Sequence, residues 1–243
     1  MYLITGAEGY VGSHLVSYLE ESQDDAVEIF QGDICSDQDW AKYEHRMFSG
    51  VIHLAALTSV HNSIEDPEAF YRNNVEGSAI TFKYATKLAS KVLWASSSNA
   101  AQWWLNPYGA SKKMAEVAAE QYDTVKGMRF RNVWPGRPDM LLQKLKHKKV
   151  EYIHSNHKRD FLHIEDLCAA VTTILNNWDD CPKVVDVCTG ELVSVKDVAK
   201  KYYFNGEYRD AAPVHEALSN EGDPSWLISK GWKPEHRVLW ETI

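Results

Sequence analysis

The sequence predicts an α/β protein with a doubly wound parallel sheet and a small C-terminal lobe. Three observations carry this. Short apolar runs of strand length alternate along the chain with longer stretches of helical spacing, the pattern of βαβ units. The first run, Tyr2–Thr5, passes directly into a turn bearing Gly6, Gly9 and Gly12, and a helical pattern follows. The run Val51–Ala55 is apolar on both faces, as a strand buried inside a parallel sheet must be. Together they describe one Rossmann-like domain over residues 1–243, with the lobe built from roughly 134–160 and 185–243.

Taken in order, Tyr2–Thr5 is the first strand, and Val11, Leu15, Val16 and Leu19 recur at helical spacing after it. Ala26–Phe30 is the second strand, ended by Gly32, and Val51–Ala55 the third. The chain between Leu19 and Val27 is too short for the usual second strand, so one strand is expected to be lost or merged. Pro67–Ala89 is a long helix with Asp66 as N-cap and Pro67 at its first position. Val92–Ala95 is a strand, and Pro107 opens the helix that carries Tyr108 and Lys112. Met128–Arg131 and Val184–Val187 are further strands, with helical patterns at Asp139–His147, Ile164–Asn177 and Val195–Tyr203.

Composition narrows the function. The net charge of −8 argues against a nucleic-acid surface. The one basic cluster, KLKHKK at 144–149, sits late in a predicted helix, where the helix dipole favours cations on a solvated face. No stretch approaches the roughly 18 apolar residues of a membrane span, and no basic segment precedes the apolar opening MYLITG, so neither a membrane anchor nor a signal peptide is expected. Cys35, Cys168, Cys181 and Cys188 form no CxxC pair, and read as reduced thiols of a cytoplasmic protein. The histidines are scattered, with His14, His154 and His157 read as surface residues, and no metal site is expected.

Glycines in a first βα turn let the backbone approach a pyrophosphate, and the helix start offers it N–H donors; a purely structural turn is the alternative. The spacing G-x-x-G-x-x-G in ITGAEGYVGSHL resembles the extended, nucleotide-sugar branch of the short-chain dehydrogenase/reductase superfamily. Further segments resemble it in the same order: HLAALTSV at 53–60, YRNNVEGS at 71–78, PYGASK at 107–112, RDFLHIEDL at 159–167 and GDPSWLISKGWKP at 222–234. The chain is thus identified as a member of the NAD-dependent epimerase/dehydratase family, of unusually short length.

The resemblance implies a catalytic Ser97, Tyr108 and Lys112, with Ser96 and Ser98 as flanking alternatives to Ser97. Tyr108 and Lys112 lie one helical turn apart, and a nearby ammonium favours the phenolate, so Tyr108 can take a sugar hydroxyl proton. The implied cofactor is NAD, with NADP not excluded, contacted by Gly6, Gly9, Tyr10, Val11, Gly12, Asp33, Ile34, Leu54, Ala55, Ala56 and Asn74 besides Tyr108 and Lys112. Asp33 matches the family's adenine-contacting aspartate, yet falls 21 residues after Gly12, where a ribose-binding acid is expected; a plain turn aspartate is the other reading. No Arg lies near the first βα turn, which favours NAD. A nucleotide-sugar substrate is implied, met by Ser97, Ser98, Asn132 and Arg159, with Arg suited to a phosphate; Arg129 and Arg131 read as structural or surface residues. The family's N-V-Y-G-P stands here as N-V-W-P-G, a rebuilt loop.

Family dehydratases place Asp-Glu after the serine or threonine, where this chain has Ser98-Asn99, which counts against elimination. The resemblance is nearest to UDP-galactose/UDP-glucose 4-epimerases, acting through a 4-keto sugar. The alternatives are a reductase, decarboxylase or other modifier of the same family, and an idle dinucleotide-binding sensor or scaffold. Family members commonly dimerise through a four-helix bundle, here roughly 66–90 and 108–124, to which Ile80, Tyr84 and Val117 could contribute; packing on their own sheet is the alternative. Between Ser97 and Tyr108 the loop is shorter than in relatives, and Trp103 and Trp104 in it are expected to cover core rather than wall a sugar pocket.

Overall fold

The computed structural model describes residues 1–22, 25–210 and 214–240. Its chain forms two compact units, Met1–Arg129 with Ile174–Val185, and Phe130–Thr173 with Asp186–Ile243. The second unit takes in more of the chain than the lobe boundaries read from sequence.

In the first unit, β1 (Tyr2–Thr5) leads through the glycine turn into α1 (Tyr10–Ser22). β2 (Val27–Ile29) is three residues long and pairs parallel with β1, Leu3 opposite Glu28. α2 (Asp37–Ala41) starts at Ser36, whose side chain accepts from Asp39 N. β3 (Gly50–His53) is buried throughout and pairs parallel with β1, placing Thr5 beside His53. α3 (Val60–Glu65) and α4 (Pro67–Tyr71) follow, and then a π turn at Arg72–Glu76 runs into α5 (Gly77–Leu88). Asp66 caps α4 by accepting from Ala69 N, with Pro67 just inside, as the sequence predicts. β4 (Val92–Ser97) pairs parallel with β3. A 3-10 segment, Ser98–Leu105, joins it to α6 (Pro107–Ala119), whose N-cap is Asn106. β5 (Val125–Phe130) starts earlier than the predicted Met128, and strand Val184–Val187 falls where predicted.

The sheet order is β2-β1-β3-β4-β5 and then Val184–Val187. A doubly wound dinucleotide fold usually carries two strands outside β1. Among the described residues only the short β2 stands there, one strand fewer, as predicted. The core beneath the sheet holds Leu3, Trp40, Val51, Phe82, Val92 and Trp94. Burying a Leu or Phe side chain of this kind contributes about 1.5–3 kcal/mol.

In the second unit, Asn132–Trp134 pairs parallel with Phe161–His163, and Lys158–Arg159 pairs antiparallel with Val193–Ser194. Trp134, Leu142, Ile153, Phe161 and Val198 share a core there. The basic run begins in the last turn of helix Leu141–Lys146, as the dipole argument requires. His157 is buried rather than superficial, because its ring packs against His154 and its Nδ1 lies 3.1 Å from an Arg159 nitrogen. All four cysteines are free thiols, and burial pushes Cys168 and Cys188 up to about 12. Among the described residues no helix is long and apolar enough to cross a membrane.

Candidate active site

Gly6 has φ +71°, and a Cβ there would stand 2.5 Å from Ala55 N. At Gly12 a Cβ would stand 2.2 Å from the Gly6 carbonyl oxygen, so α1 can start this close only without a side chain. A cleft of about 370 Å³ opens beside this turn, lined by Gly6, Glu8, Gln31, Gly32, Asp33 and Ala55 among others. It lies at the ends of β1, β2 and β3, the switch point where such sheets hold ligands. The glycine cradle fits a pyrophosphate, and Tyr10 and Val11 open α1 beside it.

Asp33 is exposed at the cleft. Its Oδ1 accepts from Cys35 N at 2.9 Å, and Oδ2 lies 3.8 Å from Arg72. Asp33 lies in the loop after β2, the strand next to β1. Ile34 turns inward, and its carbonyl accepts from Trp40 Nε1.

Leu54, Ala55 and Ala56 continue β3 and are half-buried. Two buried side chains hold this segment. Thr5 Oγ1 accepts from Ala55 N and lies 2.7 Å from His53 Nδ1, and His53 Nε2 lies 3.1 Å from Ser78 Oγ. Burial, helped by the Lys112 charge, pushes the His53 pKa down to about 3, so the ring is neutral. Asn74, on the π turn, is fully buried: Oδ1 accepts from Leu57 N, and Nδ2 donates to Leu57 O and to Ser111 Oγ on α6. Its amide therefore links the loop after β3 to α6. π turns recur at functional sites.

The three serines at the junction of β4 and the 3-10 segment differ in what they touch. Ser96 Oγ donates to Glu116 on α6 at 2.8 Å. Ser97 Oγ accepts from Asn99 N at 3.2 Å and from Asn99 Nδ2 at 3.4 Å, which keeps its own proton for donation. Ser98 is half-buried in the 3-10 segment. Asn106 Oδ1 accepts from Gly109 N at 2.7 Å and fixes the start of α6. Tyr108 follows, half-buried, its ring edge-on to Phe70.

Lys112 is 3% exposed, and its Nζ donates to Ala95 O at 2.7 Å on the strand that ends in Ser97. Burial lowers its pKa to about 7, against the opposing charge of Glu116. An ammonium that is buried yet tied to β4 stands ready to change charge near neutral pH.

Trp103 and Trp104 do not cover core. They are 48% and 64% exposed and pack edge to face on each other, while Ala100 is the residue of this segment that turns inward. Of the helix residues considered for a partner, Tyr84 faces its own chain, with its hydroxyl donating to Asp37 and its ring on Trp40. Ile80 packs partly on the core, whereas Val117 and Met114 are exposed on α6.

Asn132 and Arg159 belong to the second unit. Asn132 Oδ1 accepts from Asn220 Nδ2 at 2.7 Å. The Arg159 guanidinium donates to Lys158 O, Leu218 O and Glu216. Both side chains thus engage the segment 216–220. Arg131, read as structural, pairs with Asp186 at 3.0 Å. The structure also gathers His163, Glu165 and His236 within 4.8 Å, which scattered positions in sequence do not reveal. The two rings stack with centroids 4.0 Å apart at 26°, and His236 lies between carboxylates, Nδ1 3.1 Å from Asp166 Oδ1 and Nε2 3.4 Å from Glu165 Oε2.

A family model described as the NAD dependent epimerase/dehydratase family matches residues 2–188. The chain belongs to that family. A protein of Methanocaldococcus jannaschii, provisionally named a UDP-glucose 4-epimerase, is 27% identical over 97% of this chain and 93% of its own length. The alignment spans 288 positions against 243 residues here, so that relative carries segments this chain lacks. The UDP-glucose 4-epimerase of Streptococcus mutans is 23% identical over 96% of this chain and 91% of its own. Among solved structures, MoeE5 in complex with UDP-glucose and NAD superposes with a TM-score of 0.84 at 25% identity, covering 98% of this chain and 94% of that one. The family's cofactor is NAD, and the glycine cradle and cleft of the first unit are of the kind that holds it.

Proposed function

We propose that the protein is an NAD-dependent nucleotide-sugar 4-epimerase acting on a UDP-sugar through a 4-keto intermediate. The observation that carries this reading is Ser97, Tyr108 and a buried Lys112 at the end of β4 and the start of α6, with no acid/base pair beside them. Asn99 follows Ser98, and its amide is spent on Ser97 and Asn106. The nearest buried carboxylate, Glu116, is taken up by Arg129. Eliminating water needs a free acid and base at the sugar, and among the described residues of α6 and the 3-10 segment none is offered.

The glycine turn, Asp33 and the Leu54–Ala56 segment would hold NAD, with Asn74 keeping that segment in place. NAD, when bound, accepts and returns the hydride of a sugar carbon. Ser97 donates a hydrogen bond to the reacting oxygen, and Tyr108 takes the proton that oxygen loses as the hydride leaves its carbon. Lys112, whose Nζ donates to Ala95 O, supplies positive charge on the same helix face as Tyr108 and would hold the cofactor ribose when NAD is bound. Asn132 and Arg159 are the proposed contacts to the diphosphate, and Arg159 would exchange its Glu216 partner for phosphate. Names of the relatives support UDP as the carrier. A homodimer through α5 and α6 is part of the proposal, supported by exposed Met114 and Val117 on α6.

Incubation with UDP-glucose or UDP-galactose and catalytic NAD, followed by proton NMR, tests the reading. Interconversion of that pair or of its N-acetylated counterpart is expected. No interconversion of either, or net reduction of NAD, contradicts it.

A further inference from the structure

Glu116 lies one helical turn beyond Lys112 on α6, and its side chain is 4% exposed. Its Oε1 accepts from Ser96 Oγ at 2.8 Å and from Arg129 Nε at 2.7 Å. Its Oε2 accepts from Arg129 Nη2 at 2.7 Å and from Lys113 Nζ at 3.3 Å. Three elements therefore meet at one carboxylate: β4 through Ser96, β5 through Arg129, and α6 itself. A buried carboxylate is costly unless it is paired and hydrogen-bonded, and here both oxygens are. Burial works against its ionisation, but hydrogen bonds from Arg129 and Ser96 and the nearby cations hold its pKa below the usual range.

Ser96 is the neighbour of Ser97, so the bond to Glu116 fixes where the strand end stands relative to α6. We infer that Glu116, braced by Arg129, is a positioning residue that ties the Ser97 strand to the Tyr108–Lys112 helix, one residue along β4 from the carbonyl of Ala95 to which Lys112 Nζ donates. This rests on the reading of Ser97, Tyr108 and Lys112 as the catalytic groups. The groups bearing on Lys112 have a consistent balance. Glu116 favours its charged form, and burial opposes it. His53, on β3, is neutral. Lys113 and Arg129 each pair with Glu116, at 3.3 and 2.7 Å, and are partly neutralised by it. Tyr108 shares its helix face. His61, Glu65, Glu68 and Arg72 on the neighbouring helical segments, and Lys83 and Lys87 on α5, are exposed.

The test is a titration of Lys112 itself in protein labelled with 13C at the lysine ε-carbon, its resonance identified by loss in Lys112→Arg. In Glu116→Gln the midpoint falls by roughly one pH unit, because the supporting charge is gone and Arg129 is left uncompensated. In Arg129→Met it rises, because Glu116 is no longer neutralised. The alkaline limb of kcat/KM moves in the same two directions, and Glu116→Asp restores the limb while turnover stays reduced. A purely structural carboxylate would lower the rate in both variants without moving Lys112. Unmoved midpoints in variants shown folded by circular dichroism overturn the inference. Should Glu116→Gln fail to fold, the sign of the Arg129→Met shift decides. The titration needs no substrate, so an enzyme inactive on UDP-sugars would contradict the functional proposal and leave this result standing.

Discussion

At the scale of single residues, Lys112 sets function against stability. Folding buries its ammonium and lowers its pKa from 10.5 to about 7. Between those values the unfolded chain holds the proton more tightly than the folded one, so stability rises with pH from about 7 towards 10.5. Lys112→Met should therefore raise the stability of the ligand-free protein at pH 7 by about 2 kcal/mol in urea titrations while abolishing turnover. Tyr108→Phe, which removes only a half-buried hydroxyl, should leave the fold intact and cost about a thousandfold in kcat. Asp33→Asn keeps an oxygen for Cys35 N but removes the charge at the cleft. It should weaken NAD about tenfold, the loss expected for one charge-assisted hydrogen bond, as read by calorimetry. Tyr108 and Lys112 were legible because one turn of helix joins them in sequence. Glu116 was not, because its partners Ser96 and Arg129 come from two other strands and meet it only through the fold.

At the scale of elements, the helix after Asp66 shows how far a sequence pattern reaches. Its cap and first proline are written locally, and both are found as read. The π turn at Arg72–Glu76 is not written locally, since one turn of wider winding leaves no trace in an apolar period. That turn matters because it carries Asn74, whose amide joins the loop after β3 to α6. Asn74→Ala strands Leu57 N–H and C=O without partners and should cost about 2 kcal/mol by urea denaturation. The 3-10 segment departs from its sequence pattern for a related reason. Two adjacent tryptophans suggest core cover by hydrophobicity alone, but the backbone bends at Gln102 and gives the inward place to Ala100. The shortened sheet edge, in contrast, follows from chain length and is legible in the sequence.

At the scale of the whole molecule, the two units differ in how much of them sequence makes readable. The first repeats a strand-turn-helix grammar, so its sheet order follows from connection rules. The second pairs two- and three-residue strands from distant segments, and the stack of His163 on His236 joins residues far apart in the chain. Acid should unfold the protein partly through His53, which is neutral when folded and titrates near 6.5 when unfolded. Its contribution is complete above pH 6.5 and is lost as pH falls towards about 3, at up to about 1.4 kcal/mol per pH unit. Urea midpoints measured from pH 7 to 4 should show this decline, and His53→Gln should flatten it.

The central claim is that Tyr108 and Lys112 support a reversible oxidation at the sugar C4. UDP-galactose deuterated at C4 tests it most directly, by mass spectrometry and NMR of the products. The account predicts UDP-glucose with the deuterium kept at C4 and no net change in NAD. Deuterium lost to solvent, or a product that is not a C4 epimer, would contradict it.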